Sequence, residues 1–295
     1  MNRKDVLVVE ISGKRPGTKK ERPTEKYDIS YDKIIISNNS QDYDTEWEII
    51  NVPQDYKDWY IENHKQSDNA WYAPMNRSYA IKYAKDHGYK YLIQLDDNIV
   101  NICLKFKNDN KSVYVNNRQM HFDDVIDMLV TVLENTNAGM SGCDMVSMSI
   151  PQKTFLAERF CYSLFALKLD VCPPIFQGSF EDDIEYRLKL YQMGIPCVQV
   201  VPFKYAKTGQ AKNKDLSGCR AEYLKQGVKR GEQMRKLYGD IYSCGMASGA
   251  KPGKQGKRRE QVLFKHRLKT IKCGTIVYNM KAIQDKFKEI ISHYI

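Results

Sequence analysis

The stretch YKYLIQLDDNIV, residues 89–100, ends an apolar run in two carboxylates and an amide: Asp96, Asp97 and Asn98. A second acidic group, Glu181, Asp182 and Asp183, opens the stretch EDDIEYRL. Neighbouring carboxylates repel, so a fold tolerates them best with positive charge between them. Hard cations such as Mg²⁺ and Mn²⁺ take oxygen ligands, commonly one or two carboxylates plus substrate phosphates. A carboxylate beside a hydroxyl can act as a general base or hold a sugar hydroxyl. Each group also has a plain structural explanation. Asp and Asn side chains bond local backbone in turns, and acids at a helix N-terminus complement its dipole. Three consecutive acids, however, exceed what capping requires, and the QGSF stretch before them is small enough for a ligand to approach.

Polar groups elsewhere fall after strand-like runs. Arg15 follows the first such run in ISGKRPGT, and with the local backbone it can meet a nucleotide. Asn38 and Asn39, in SNNS, can pair with a base, although Asn and Ser also make ordinary turns. Lys204, Lys207, Lys212 and Lys214 cluster in FKYAKTGQAKNK, where a diphosphate or a DNA backbone would suit them. In parallel α/β sheets, ligands sit outside the carboxyl ends of strands. The placing of Asp96, Asp97 and Asn98 at such an end therefore matters as much as their chemistry.

The elements that must position these residues alternate. Strands are predicted at 5–11, 32–39, 46–53, 91–95, 144–150, 163–171 and 196–203. Helices are predicted at 77–87, closed by Gly88, at 122–136 with acids in its first turn, and at 182–193, closed by Gly194. A charged helix over 220–238, a Gly/Lys/Arg-rich loop over 243–260 and a last helix within 275–295 follow. This order indicates an α/β fold, largely parallel over its first half. The expected organisation is one domain over 1–240 with a basic loop and helical extension, 241–295, packing on it.

At 295 residues the chain can bury a large core, and 42% hydrophobic with 28% charged residues is ordinary for a globular protein. No apolar run approaches the roughly 20 residues of a membrane span, and the N-terminus reads as a strand rather than a signal peptide. The eight cysteines are scattered without a CxxC pair, which points to free thiols in a reducing cytoplasm. Residues 204–272 hold 19 Lys/Arg against 5 Asp/Glu, a net +14, so the rest of this +10 chain carries −4. Such segregation suits a polyanion partner, either nucleic acid or ligand phosphates.

The order of these pieces resembles that of the GT-A nucleotide-sugar glycosyltransferases. The first strand runs into ISGKRP, and the second ends in IIISNNS. An arginine then opens the helix in MNRSYAIKYAKDHGYKYLIQLDDN, and an acidic loop precedes the helix of GSFEDDIEYRLKLYQMG. More narrowly, it is similar to the phage-type, TET/JBP-associated DNA-base glycosyltransferases, over about residues 5–215. The resemblance implies a Rossmann-like, mixed but mainly parallel sheet flanked by helices. It implies that Asp96 and Asp97 hold ribose and metal, with Asn98 at the third acidic position of the motif. Arg15, Pro16, Asn38, Asn39 and Arg77 would meet the nucleotide or its phosphates. Glu181, Asp182 and Asp183 would face donor sugar and acceptor, with Asp182 as base if the reaction inverts, and Arg187 matches the arginine of the second motif.

The chain departs from the pattern at Asn98, whose amide can ligate a cation without charge. It also has no histidine in the stretch directly after the last predicted strand, FKYAKTGQAKNK; Lys207 occupies that region and can take over part of the phosphate neutralisation. The implied activity is metal-dependent transfer, with Mn²⁺ or Mg²⁺, from a UDP-sugar to a hydroxymethylated base such as hydroxymethylcytosine in double-stranded DNA. The setting would be phage DNA hypermodification in a host cytoplasm, without a membrane. Two alternatives stand beside it: a glycan or lipid-linked acceptor, and a non-catalytic DNA-binding protein on a decayed GT-A scaffold.

Overall fold

The computed structural model describes residues 2–13, 23–38, 43–64, 72–108, 111–146, 155–159, 161–177, 182–207, 235–239, 242–246, 264–268 and 276–295. Strand β1 (Val6–Ser12) is buried at every position. A strand covered on both faces reads as a nearly continuous apolar run, as VLVVEI does but for Glu10, a buried carboxylate that accepts from Thr24. It lies between β2 (Asp32–Ser37) and β4 (Tyr91–Asp96), parallel to both, and β3 (Glu48–Asn51) extends the parallel set beyond β2.

Beyond β4 the sheet becomes mixed. Strand β9 (Leu164–Lys168) runs antiparallel between β4 and β7 (Met140–Met145), and β10 (Cys197–Lys207) is parallel to β7. A hairpin of β5 (Ile99–Asn108) and β6 (Lys111–Val115) closes the far edge, with β5 antiparallel to β10, and the short β8 (Leu156–Glu158) also pairs β10. Among the described residues the order is β3-β2-β1-β4-β9-β7-β10-β5-β6. This is the mixed, mainly parallel, helix-flanked α/β sheet expected from the sequence. A separate pair, β11 (Tyr242–Met246) and β12 (Phe264–Leu268), is antiparallel.

Alternation along the strands divides the core into two layers. Val6, Val8, Ile93 and Leu95 face one side, where α3 (Phe122–Glu134) and α5 (Met280–Ser292) pack. Phe287 of α5 sits edge-on to Phe106, Phe155 and Phe203, so the C-terminal helix closes over the same core. Leu7, Val9, Ile11 and Leu92 face the other side, beneath α1 (Gln54–His64), α2 (Tyr72–Asp86) and α4 (Asp182–Gln192). Side chains two apart on a strand share a face, so Gln94 and Asp96 follow Leu92 towards α2.

Several expectations need adjusting. The helix predicted from residue 77 begins at Tyr72, so Arg77 lies inside α2 rather than opening it. The strand predicted over 144–150 is centred earlier, as β7, and residues 147–150 lie outside the described ones. Most of the predicted 220–238 helix and of the 243–260 loop also lie outside them. The five described cysteines whose side chains are placed, Cys103, Cys143, Cys161, Cys172 and Cys197, are buried thiols outside any disulfide. No helix among the described residues is long and apolar enough to cross a membrane.

Candidate active site

The acidic clusters meet through Arg77. Strand β4 carries Asp96 to the C-terminal ends of the parallel strands, and α4 starts at Asp182, on the other side of Arg77. From α2 the Arg77 guanidinium donates through Nε to Asp182 Oδ2 at 2.6 Å and through Nη2 to Asp96 Oδ1 at 2.6 Å. Its Nη1 donates to Gln94 Oε1 at 3.2 Å, and Gln94 returns a hydrogen bond to the Arg77 carbonyl at 3.1 Å. Phe165 and Phe176 flank the guanidinium, at 5.4 and 5.9 Å from their ring centres. Arg77 is only 4% exposed. Burial opposes its charge, but Asp96 and Asp182 overcome that cost and raise its pKa.

The second oxygen of Asp96 accepts from Lys207, at the end of β10. Lys207 also donates to Ser163 Oγ at 2.8 Å. Burial alone would push the Asp96 carboxyl up, yet Lys207 and Arg77 hold it well below the usual carboxylate range. Ser163 stands in the left-handed region at φ 59, which is uncommon for a residue with a side chain. Its carbonyl accepts the Asp96 N–H at 2.9 Å, so the turn into β9 holds the end of β4 as well as Lys207.

A second group of polar side chains gathers at the C-terminal end of β1. Ser12 Oγ donates to Asp97 Oδ2 at 2.8 Å and lies 2.7 Å from the Tyr43 hydroxyl. Asn76 Nδ2 donates to the Ser12 carbonyl at 3.1 Å. A Cβ at Gly13 would lie 3.0 Å from Asn38 Oδ1, so the chain passes tightly there. Among the described residues, the buried amide oxygens of Asn38, Asn76 and Asn98 have no hydrogen-bond partner. Buried acceptors are normally satisfied, and a bound ligand's N–H or O–H groups would do so here.

The structure therefore joins Arg77, Asp96, Asp182 and Lys207 and places Asn38, Asp97 and Asn98 nearby along the same strand ends. Asp183 is partly buried at the start of α4, where its carboxylate accepts the Ile184 N–H at 2.9 Å. Lys204 does not join them. It is buried in an ion pair with Asp144 at 2.5 Å, so its charge is met inside the sheet rather than offered to a ligand. Arg187 is also internal, donating to the Tyr191 hydroxyl at 2.7 Å and lying over that ring. Arg15, Pro16, Asn39, Glu181, Lys212 and Lys214 lie outside the described residues. Gln94, Asn76, Ser12, Tyr43 and Ser163 are additions; only their position in space marks them.

A divalent ion on Asp96 does not fit this arrangement. Both carboxylate oxygens already have cationic donors, and a metal would have to displace Lys207. Asp97 Oδ2 accepts from Ser12. Among the described residues, no three His, Cys, Asp or Glu side chains gather as metal ligands.

Residues 29–215 match the sequence profile of the family described as TET-associated glycosyltransferase. Of the curated proteins compared, none matches. A solved structure described as a "putative nucleotide-diphospho-sugar transferase" from Desulfovibrio desulfuricans G20 aligns with 79% of this chain and 98% of its own. Its identity is 10% and its TM-score 0.36.

Proposed function

Because the chain belongs to the TET-associated glycosyltransferase family, we propose that this glycosyltransferase moves a sugar from a UDP-linked donor to a hydroxymethylated base in double-stranded DNA. Arg77 carries the reading: one buried guanidinium ties the strand-end Asp96 to the helix-start Asp182, fixing two acidic motifs about one opening. The nucleoside would lie against the ends of β1 and β2, where the unpartnered oxygens of Asn38, Asn76 and Asn98 await base N–H or ribose hydroxyl donors. Arg15, Pro16 and Asn39 belong to the same strand-end loops in the sequence.

The acceptor hydroxyl would approach Asp182 and Asp183, with Glu181 adjacent in the chain. In an inverting reaction Asp182 takes the hydroxyl proton as oxygen attacks the anomeric carbon. In a retaining reaction these acids orient donor and acceptor. The DNA acceptor is supported by the family's TET-associated description and by the +14 charge over 204–272. The acids stand at the ends of interior strands, out of reach of a base stacked in a duplex, so the base is flipped out. Phage DNA hypermodification in a host cytoplasm is the setting this acceptor fits.

The test is incubation of hydroxymethylcytosine duplex DNA with UDP-hexoses, followed by digestion and mass spectrometry of the nucleosides. The expected product is a hexosylated hydroxymethyl nucleoside that is absent with Asp182→Asn. Transfer to a glycan but not to DNA would replace the acceptor, and DNA binding without any transfer would favour the decayed scaffold.

A further inference from the structure

We propose that Lys207 is the cation of this active site, its ammonium taking up the charge of the leaving diphosphate without a divalent metal. The inference rests on the donor-site reading above. Asp96 stands at the strand end where a dication is expected, yet its two oxygens are held by Arg77 Nη2 at 2.6 Å and by the Lys207 ammonium. Each of Arg77's three nitrogens already donates, to Asp182, Gln94 and Asp96. It neutralises the acids from beneath and is only 4% exposed.

Lys207 differs from Arg77. A quarter of its side chain is open, beside an Asp96 that is 20% exposed. Among the described residues its ammonium donates to Asp96 and Ser163. An ammonium carries three N–H donors, so one remains for a phosphate oxygen on the exposed side of Lys207. Its position is fixed from several directions. The β10 register shifts between Ala206 and Lys207, Lys207 pairs with Ile99 just after the acidic turn, and the left-handed Ser163 presents its hydroxyl. Lys204, three residues earlier, is consumed by Asp144. Within β10, therefore, the chain sets one lysine inside the sheet and aims the other at the acid cluster.

The step balances without a metal. The bond between the anomeric carbon and the diphosphate oxygen breaks, and its electron pair stays on the diphosphate. The acceptor oxygen bonds to that carbon, and its proton goes to Asp182, or to the departing diphosphate if configuration is retained. The extra negative charge on the diphosphate appears beside Lys207. A fixed charge there stabilises the transition state more than the ground state.

The experiment is calorimetric titration of the full chain with UDP, GDP, ADP, CDP and dTDP, in EDTA and in Mn²⁺. Wild type, Lys207→Met and Lys207→Arg are compared, and thermal unfolding checks that each is folded. We expect one diphosphate to bind wild type with a dissociation constant that changes no more than about twofold between EDTA and Mn²⁺. Loss of a charge-assisted contact in Lys207→Met should weaken binding about tenfold or more in both buffers, and Lys207→Arg should recover most of it. Sugar transfer by wild type should persist in EDTA. Binding or transfer that requires Mn²⁺, or a folded Lys207→Met that binds as wild type does, would overturn the inference alone. No binding of any diphosphate in either buffer would overturn it together with the donor site.

Discussion

Arg77 makes three side-chain hydrogen bonds in three directions, and no other residue type can reproduce them. A lysine carries one compact charge and cannot span Asp96 and Asp182 together. Arg77→Lys should therefore remove nearly all transfer while the protein still folds. Arg77→Ala should also destabilise it, because it strands two carboxylates; breaking a buried pair costs about 3–5 kcal/mol. Urea unfolding beside a transfer assay separates the two effects, and a fully active Arg77→Lys would remove Arg77 from the site. Asp96 makes a pH prediction. Its folded pKa is depressed, chiefly by Lys207 and Arg77 acting against burial. A depressed carboxyl contributes its full stability above the ordinary value of about 4 and loses it as pH falls below that towards the folded value. Urea midpoints measured from pH 6 to pH 3 should thus fall less steeply in Asp96→Asn than in wild type. Parallel slopes would mean that Asp96 is unpaired in solution.

At the scale of elements, what the sequence disclosed tracks how evenly an element is buried. Strands β1 and β4 were legible because both faces are covered and their runs are apolar but for one buried polar residue each, Glu10 and Gln94, before the polar end. Helix α1 was not: only Tyr60 is buried along QDYKDWYIENH, so its pattern is nearly all solvent-facing. The β5–β6 hairpin was hidden for a related reason, since Lys105, Lys107 and Lys111 on a sheet edge read as loop. The acids of the site announced themselves by type. Ser12, Gln94 and Asn76 did not, because a lone polar residue in a strand or helix acquires a role only from what folds against it. Ser163 is harder still, as its contribution is a backbone conformation that its residue type disfavours. Glycine ends were legible because chemistry dictates them. Gly88 sits at φ 79, where the Gly88 N–H reaches Lys85 O and the Tyr89 N–H reaches Ala84 O, closing α2 directly before β4. A Cβ there meets nothing within 4 Å, so Gly88→Ala tests conformation alone. It should cost about 1–2 kcal/mol in urea unfolding. A neutral result would show that the helix end relaxes without moving the acidic strand.

The whole molecule separates its charge. A mildly acidic body holds the sheet and the opening, and residues 204–272 hold a net +14. A donor site alone would need only a few cations near a diphosphate, and Arg77 and Lys207 already supply two. The remaining excess is more than a nucleotide can use, and it suits a ligand with a charge every few ångströms. If that ligand is DNA, binding releases counterions, and log affinity falls against log salt by about 0.9 for each phosphate neutralised. A modified duplex should then lose affinity steeply between low and physiological salt, measured by fluorescence anisotropy. The run Lys257, Arg258 and Arg259 offers a compact test. Replacing all three with glutamine should lower the slope by up to about three units, one per lost phosphate contact. If these three serve DNA alone, diphosphate binding should stay unchanged. A salt-independent affinity, or an unchanged slope in the triple variant, would move the DNA surface elsewhere. A slope that falls while transfer to a free hydroxymethyl nucleoside is retained would show that the basic third delivers the acceptor and the acid-lined opening performs the transfer.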